Sequence, residues 1–347
     1  MTPPKQNTSP VIKKLINWFD SYAGDDTPQD SDVKTLADKE PSASKEPSAN
    51  QKPLASKEPS SGTTQESLNW LRIVPFVLLH IACLSVIWVG WSPIALIVAV
   101  LFYALRMVGI TAFYHRYFAH KAFKTGRVTQ FIFALIGAAA TQRGPLWWAS
   151  HHRHHHHYSD TDQDVHSPKK GFIWSHMVWF LSDKHFKTRL DLIPDFARFK
   201  ELIFLDRFDI LVPLLCLVFM YVLGALLNTA FPSLGTSGLQ MLVWGYVIST
   251  IALLHATLCI NSLAHKVGSR RFKTTDTSRN NFTLALLTFG EGWHNNHHQF
   301  PHSARQGIRW WEIDISFYVI KCMEKLGLVW NVKPGPNKAQ IERALNK

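Results

Sequence analysis

Cysteine is scarce in this 347-residue chain, which has only four. Cys83, Cys216 and Cys259 sit inside apolar runs and Cys322 in a late amphipathic stretch, with no CxxC pair among them. Neither a disulfide framework nor a thiolate zinc site is therefore expected. The N-terminus lacks an apolar run ahead of a small-residue cleavage site, so no cleavable signal peptide is expected either. Acidic residues are in deficit, 25 against 37 Lys and Arg, for a formal charge of +12. Such a surplus suits nucleic acid or an anionic surface. No recognised nucleic-acid module accompanies it, so no nucleic-acid partner is expected.

Residues 1–66 also lack the apolar content needed to bury a core. Lys, Glu, Pro and Ser repeat as KEPS at 39–42, 45–48 and 57–60, a composition that predicts a disordered tail with no part in catalysis. Within it, apolar residues over 11–23 recur at helical spacing and predict a short interfacial helix. From Leu71 the character reverses. Residues 71–91, 93–112, 208–228 and 239–260 are apolar runs near the ~20 residues that cross a bilayer, arranged as two hairpins. The runs at 128–140 and 172–181 are too short to span and read as interfacial or re-entrant helices. Neither hairpin turn, 90–93 or 229–238, contains Lys or Arg, which places both termini and the long central loop on the cytoplasmic side. The basic surplus then faces lipid headgroups or an acidic partner. Arg106, inside the second run, would cost about 2.5–3.5 kcal/mol at mid-bilayer and should lie near the cytoplasmic end or be paired.

What the chain has in abundance is histidine, 18 residues in all. Six fall in the seven positions from His151 to His157, interrupted by Arg153. His115 and His120 follow the second apolar run, His265 ends the fourth, and His294, His297 and His298 come soon after. All of these clusters map to one membrane face. Imidazole is the commonest protein metal ligand. The patterns HxxxxH, HxxHH and HxxHH within these clusters supply eight imidazoles and His265 a ninth, more than the three or four ligands that one zinc takes, which points to two metals. A set rich in nitrogen and free of thiolate suits iron, zinc or copper, of which zinc has no redox chemistry. A histidine-rich membrane metal transporter is the alternative from another class, although His80 and His255 are the only histidines within the runs.

HRYFAH, HRHHH, NSLAH and GEGWHNNHH resemble the histidine boxes of membrane fatty-acid desaturases of the stearoyl-CoA/delta-9 class, in order, spacing and four-span plan. The resemblance covers about Leu71 to Val332, and divides the chain into a 1–66 tail, a 67–332 desaturase domain and a 333–347 C-terminal tail. It implies an all-α polytopic membrane protein, four transmembrane helices in two hairpins under a cytoplasmic helical cap that holds a di-iron site. It implies an oxygen-dependent enzyme placing a cis double bond, at delta-9, in a saturated acyl-CoA or acyl-lipid; a related histidine-box hydroxylase is the nearest alternative. Carried over by position, the metal ligands are His115, His120, His152, His155, His156, His265, His294, His297 and His298, with Asn261 acting through water. His151, His154 and His157 are left outside that set.

Asp160, Asp164, Asp276 and Glu291 are the candidate carboxylates near the boxes able to orient them, although each reads first as an ordinary surface charge. Gln142, Trp147, Trp148, Thr257 and Leu258 are candidates for a bent substrate tunnel, with Leu258 standing where related animal enzymes carry Trp. Lys169, Lys170, Lys184, Lys187 and Arg189 form a basic cluster suited to a phosphate group, lipid or acidic donor. No HPGG haem-binding signature occurs, so electrons are expected from a separate ferredoxin or cytochrome b5-like carrier with its reductase. GEGWHNNHH and TTDTSRNNF look closer to bacterial members, which suggests a bacterial inner membrane.

Overall fold

The computed structural model describes residues 19–22, 68 and 70–346. Most of the helix expected over 11–23 and the KEPS repeats lie outside the described residues. In chain order the main helices are α1 (Trp70–Ala82), α2 (Pro93–Val108), α3 (Arg127–Ala138), α4 (Pro145–Tyr158), α5 (Lys200–Arg207), α6 (Leu211–Ala230), α7 (Ser249–Ser262), α8 (His294–Gln299), α9 (Ile315–Lys325) and α10 (Lys338–Leu345). Among the described residues strand content is limited to the antiparallel pair β1 (Lys124–Thr125) and β2 (Val329–Trp330), with Lys124 opposite Trp330 and Thr125 opposite Val329. The protein is a helical one, as its periodicity predicts.

Among the described residues three helical stretches are long and apolar enough to cross a membrane: Pro93–Ala119, Leu211–Ala230 and Gly238–His265. Their exposed faces are apolar, with Val100, Leu101 and Leu215 each about three-fifths exposed, as lipid contact requires. The first apolar run is helical over 70–89, tightens over Cys83–Ser85 and is stopped by Gly90, whose φ of 63° only glycine adopts without strain. At the far ends of the two hairpins, Gln240 donates to Val89 O at 2.8 Å and Trp244 to Gly90 O at 2.8 Å. Met220, Met241, Tyr246 and Val247 fill the space between these helices.

Pro93 opens α2 at its first turn, where its missing N–H costs nothing, and Ser92 caps the helix by accepting from Ala95 N at 3.3 Å. Beyond Val108 the same rod continues as a π-helical stretch, Gly109–Ala119, in which every residue is buried. Arg106 is not at the rod's end. It is fully buried, donating to Thr250 Oγ1 at 2.6 Å, to Ser249 Oγ and to Phe102 O at 3.1 Å, with its guanidinium 4.0 Å from the Phe102 ring. Hydroxyl groups, a carbonyl and an aromatic face solvate the charge in place of a counter-ion.

The largest core surrounds the π-helical stretch and joins it to α3, α4 and α5 through Phe113, Tyr114, Phe118, Phe133, Leu146 and Leu202. The C-terminal residues pack onto the same body: Lys333 N donates to Ala122 O at 2.7 Å, and α10 is closed by an Asn337–Gln340 capping box.

Candidate metal centre

The spacing of His115 and His120 has a structural reason. Residues five apart lie about 140° apart around an α-helix, so an HxxxxH pair would face different ways. The π-helical stretch bonds each residue to the fifth one on, as in His120 N to His115 O at 3.1 Å, and brings the two rings edge to face with centroids 4.8 Å apart.

Helix α4 delivers the second box. It has no side-chain cap of its own; instead the Asp206 carboxylate, buried on α5, accepts from Leu146 N at 2.9 Å and Trp147 N at 2.7 Å. A negative charge at those first amides suits the helix dipole. Gly144 permits the approach, since a Cβ there would lie 2.3 Å from Asp206 Oδ1. Helix α8 brings the third box, and the C-terminal end of α7 leads into His265.

Together these elements gather the predicted histidines into two groups. His115, His120, His152, His156 and His297 form one; His155, His265, His294 and His298 form the other. In the first, His115 Nε2 lies 3.0 Å from His297 Nε2 and 3.1 Å from His120 Nε2, His120 Nε2 is 2.9 Å from His152 Nε2, and His297 Nε2 is 2.9 Å from His156 Nε2. In the second, His265 Nε2 and His294 Nε2 are 3.1 Å apart. Nitrogens about 2.1 Å from a shared ion and at right angles would be about 3.0 Å apart. The groups adjoin, with the His156 and His298 rings 4.6 Å apart.

Four buried carboxylates orient these rings. Glu291 Oε2 lies 2.6 Å from His115 Nδ1, Asp164 Oδ2 3.0 Å from His155 Nδ1, Asp160 Oδ1 3.1 Å from His265 Nδ1, and Asp276 Oδ2 2.9 Å from His298 Nδ1. These are the four carboxylates named above as candidates to orient the boxes, and none is a surface charge: each is at most 7% exposed. A carboxylate on Nδ1 fixes that proton and leaves the Nε2 lone pair free to bind a metal. Asp160 turns back onto His265 through a left-handed backbone, φ 59°, which Asp tolerates better than most residues. Its carboxyl is held down to about 2, because His265 and Thr277 outweigh its burial. Asp164, Asp276 and Glu291 are also below the ordinary carboxylate range, burial being outweighed chiefly by His155, His298 and His115 respectively.

Burial, reinforced by neighbouring imidazoles, holds His120, His152, His156, His294 and His297 well below the ordinary histidine range. Burial also takes His298 to about 4 against the pull of Asp276. In His155 the burial is outweighed by Asp164, and its pKa is raised. Nine imidazoles with free nitrogens facing one another are a poor hydrogen-bonding arrangement and a good donor set. His155 Nε2 and His298 Nε2, in the second group, are buried with no hydrogen-bond partner. These residues therefore fit a metal, and the arrangement is compatible with a histidine-ligated metal site.

The remaining histidines fall outside both groups. His151 is buried, with Nδ1 2.9 Å from Trp147 O; His154 is buried, with Nδ1 unpartnered; His157 is exposed. His166 packs 4.2 Å from the His155 ring and shares a third potential donor group with His155 and Asp164. His80, His255 and His176 form a line, His80 Nε2 to His255 Nε2 at 2.9 Å and His255 Nδ1 to His176 Nε2 at 2.9 Å, ending on Ser262 Oγ.

A cavity of about 1120 Å³ runs up to His152 and Asn261. Gln142, Trp147, Trp148, Thr257 and Leu258 all line it. Gln142 Nε2 donates to Thr257 Oγ1 at 2.8 Å, and Trp148 stacks on His152 with centroids 5.0 Å apart. The residues flanking Gln142, Thr141 and Arg143, have φ of 61° and 71°, so Gln142 is presented by two strained neighbours. Sequence reasoning missed most of this wall, including Val74, Phe76, Leu79, Phe186 and Leu254. Their apolar character is common to every buried helix, and no sequence signal marks them.

The fold and site define an integral membrane protein with a buried polyhistidine metal site beside an apolar cavity. Residues 65–329 match the fatty acid desaturase family model. The chain is 36% identical over 275 residues to the sn-2 palmitoyl-lipid 9-desaturase of Nostoc sp. (strain 36), covering 78% of this chain and 92% of that one. It is 38% identical over 272 residues to Delta-9 acyl-lipid desaturase 2 of Arabidopsis thaliana, covering 77% and 83%. It is also 36% identical over 275 residues to the icosanoyl-CoA 5-desaturase of Limnanthes douglasii, covering 78% and 73%. The chain belongs to the fatty acid desaturase family, and its activity is that family's oxidoreductase chemistry, the removal of two hydrogens from a fatty acyl chain.

Proposed function

We propose that the protein is an oxygen-dependent delta-9 desaturase that places a cis double bond in an acyl chain lying in the 1120 Å³ cavity. Two irons, one held by His115, His120, His152, His156 and His297 and one by His155, His265, His294 and His298, with Asn261 acting through water, would supply the oxidising chemistry from dioxygen and two electrons. The carrying observation is the meeting of an apolar cavity with the first histidine group at Trp148 and His152, with Asn261 on the same wall. The Gln142–Thr257 hydrogen bond closes one side of the wall beside the site and bends the path of a chain threading past it. A bent path holds two neighbouring methylenes in the folded conformation from which a cis bond forms. Glu291, Asp160, Asp164 and Asp276 keep the Nδ1 protons on their histidines and the Nε2 lone pairs directed inward. Trp147, Trp148 and Leu258 exclude water from the acyl chain.

In this reading the helix Ile73–Val89 is a fourth span and the histidine-bearing segments form a cytoplasmic cap in a bacterial inner membrane, as the uncharged hairpin turns favour. Electrons come from a separate ferredoxin or cytochrome b5-like carrier. The test incubates the iron-loaded protein, dioxygen and reduced carrier with labelled palmitoyl-CoA and palmitoyl phospholipid side by side. A product lighter by two hydrogens is expected. A product heavier by one oxygen would make the protein a hydroxylase, and no product from iron-replete protein would overturn the reading.

A further inference from the structure

The N-terminal segment, which composition alone sets apart from catalysis, reaches the cavity wall. Ser21 is buried and lines the cavity beside Arg143, Phe186, Asp209 and Ile210. Its placement is fixed on three sides. Asp20 accepts from Arg207 Nε at 2.9 Å and Nη2 at 2.7 Å, a two-pronged ion pair. Ser21 N donates to Arg207 O at 2.8 Å. Tyr22 OH donates to Asp206 Oδ2 at 2.9 Å while its ring packs on the main core.

Two of these contacts continue into the site. Asp206 is the carboxylate that caps α4, the helix carrying His152, His155 and His156, so Tyr22 shares its acceptor with the amides of Leu146 and Trp147. Ser21 Oγ donates to Asp209 Oδ1 at 3.1 Å, and Asp209 Oδ2 lies 2.6 Å from Arg143 Nε, next in the chain to Gln142. Arg143 in turn covers the Phe186 ring at 3.7 Å. The chain lines the cavity a second time at Leu68 and Trp70.

We propose that residues 19–22 are a built wall of the substrate cavity, and that the N-terminal segment thereby takes part in binding the acyl chain. The proposal rests on reading this cavity as the acyl tunnel. A polar strap bonded at both its side chains and its backbone gives the cavity a rigid rim where an unattached tail would leave it open. Substrate binding, rather than the chemical step, is what its loss should change.

The experiment compares the full-length iron-loaded enzyme with three variants, measuring KM and kcat for palmitoyl-CoA and palmitoyl phospholipid, iron per chain and thermal midpoint. Leu254→Trp, deep in the cavity, tests the cavity itself and should stop turnover. Ser21→Trp should raise KM about tenfold with kcat and iron content held, the mark of lost binding that is shared by ground and transition states. Tyr22→Phe, which removes one hydrogen bond and no volume, should raise KM by about threefold. If Leu254→Trp leaves turnover intact, the reading of the cavity fails. If Leu254→Trp stops turnover while Ser21→Trp and Tyr22→Phe keep the wild-type KM, the strap is no part of the binding site. A fall in kcat and iron content at unchanged KM would likewise overturn the proposal, since it would make the strap a support for α4 alone.

Discussion

Removing the charge of Asp164 while keeping its shape isolates what the buried carboxylate does for His155. Asp164 is fully buried; its oxygens lie 3.0 and 3.1 Å from His155 Nδ1 and accept from Asp160 N at 2.9 Å and His166 N at 3.2 Å. Asp164→Asn keeps one carbonyl oxygen for one of the two backbone donors, sets its amide nitrogen against the other, and loses the charge-assisted bond to the imidazole. Such a bond is worth about 1.5–3 kcal/mol, which corresponds to a factor of about 10–150 in affinity. Outer carboxylates on metal-bound histidines typically account for about 10–100-fold, so two independent routes agree. The assay loads purified protein with iron, dialyses it against graded chelator and reads iron per chain, with thermal unfolding as a check on the fold. About half the iron, that of the His155 group, should be lost at a chelator concentration lower by at least about tenfold. Asp162→Asn, two residues away and exposed, should match wild type. A retention curve for Asp164→Asn that overlays wild type, with the fold intact, would refute the reasoning.

His297→Ala removes a nitrogen that approaches both His115 and His156, and should abolish turnover while membrane insertion, read by carbonate extraction, stays unchanged; near-normal activity would remove it from the centre. Acid should loosen the site from the histidine side first. His120, His152, His156, His294 and His297 are depressed in the folded state, so below about pH 6.5 the unfolded chain binds more protons and stability falls with falling pH. Each contributes about 1.4 kcal/mol per pH unit while it stays unprotonated, and metal affinity falls in the same direction. The depressed carboxylates add their loss only below about pH 4. Chemical denaturation of the metal-free protein between pH 7 and 5 checks the sign, and a midpoint that rises on acidification would contradict it.

How much could be read from the sequence differs by element. The long apolar runs and the histidine spacings are strong periodic or compositional signals, and the structure has three of the four runs as membrane-length helices. Glu291, Asp160, Asp164 and Asp276 could be named as neighbours of the boxes, but burial is a tertiary property and sequence proximity cannot distinguish it from solvent exposure. The π-helical stretch was hidden for a different reason: GITAFYHRYFA has no residue that excludes an α-helix, and its hydrogen-bond shift is imposed by packing. Arg106 was expected near an end or beside an acid, and is instead solvated by Thr250 and Ser249, hydroxyls 143 and 144 positions away in sequence. Asp20, Ser21 and Tyr22 end the stretch read as an interfacial helix over 11–23, and nothing local marks them as an anchor, because their partners Arg207, Asp206 and Asp209 lie more than 180 positions away in the chain.

The first histidine group has a consequence for how the protein is made. His115 and His297 approach within 3.0 Å although 182 positions separate them in the chain. A ribosome therefore releases the apolar hairpins to the membrane well before the last nitrogen donor exists. Until α8 emerges and folds back, the nascent chain holds only six of the nine imidazoles. Metal loading is thus a terminal step of biogenesis, and a chain truncated before residue 294 should insert, remain helical and leave the ribosome without a closed site.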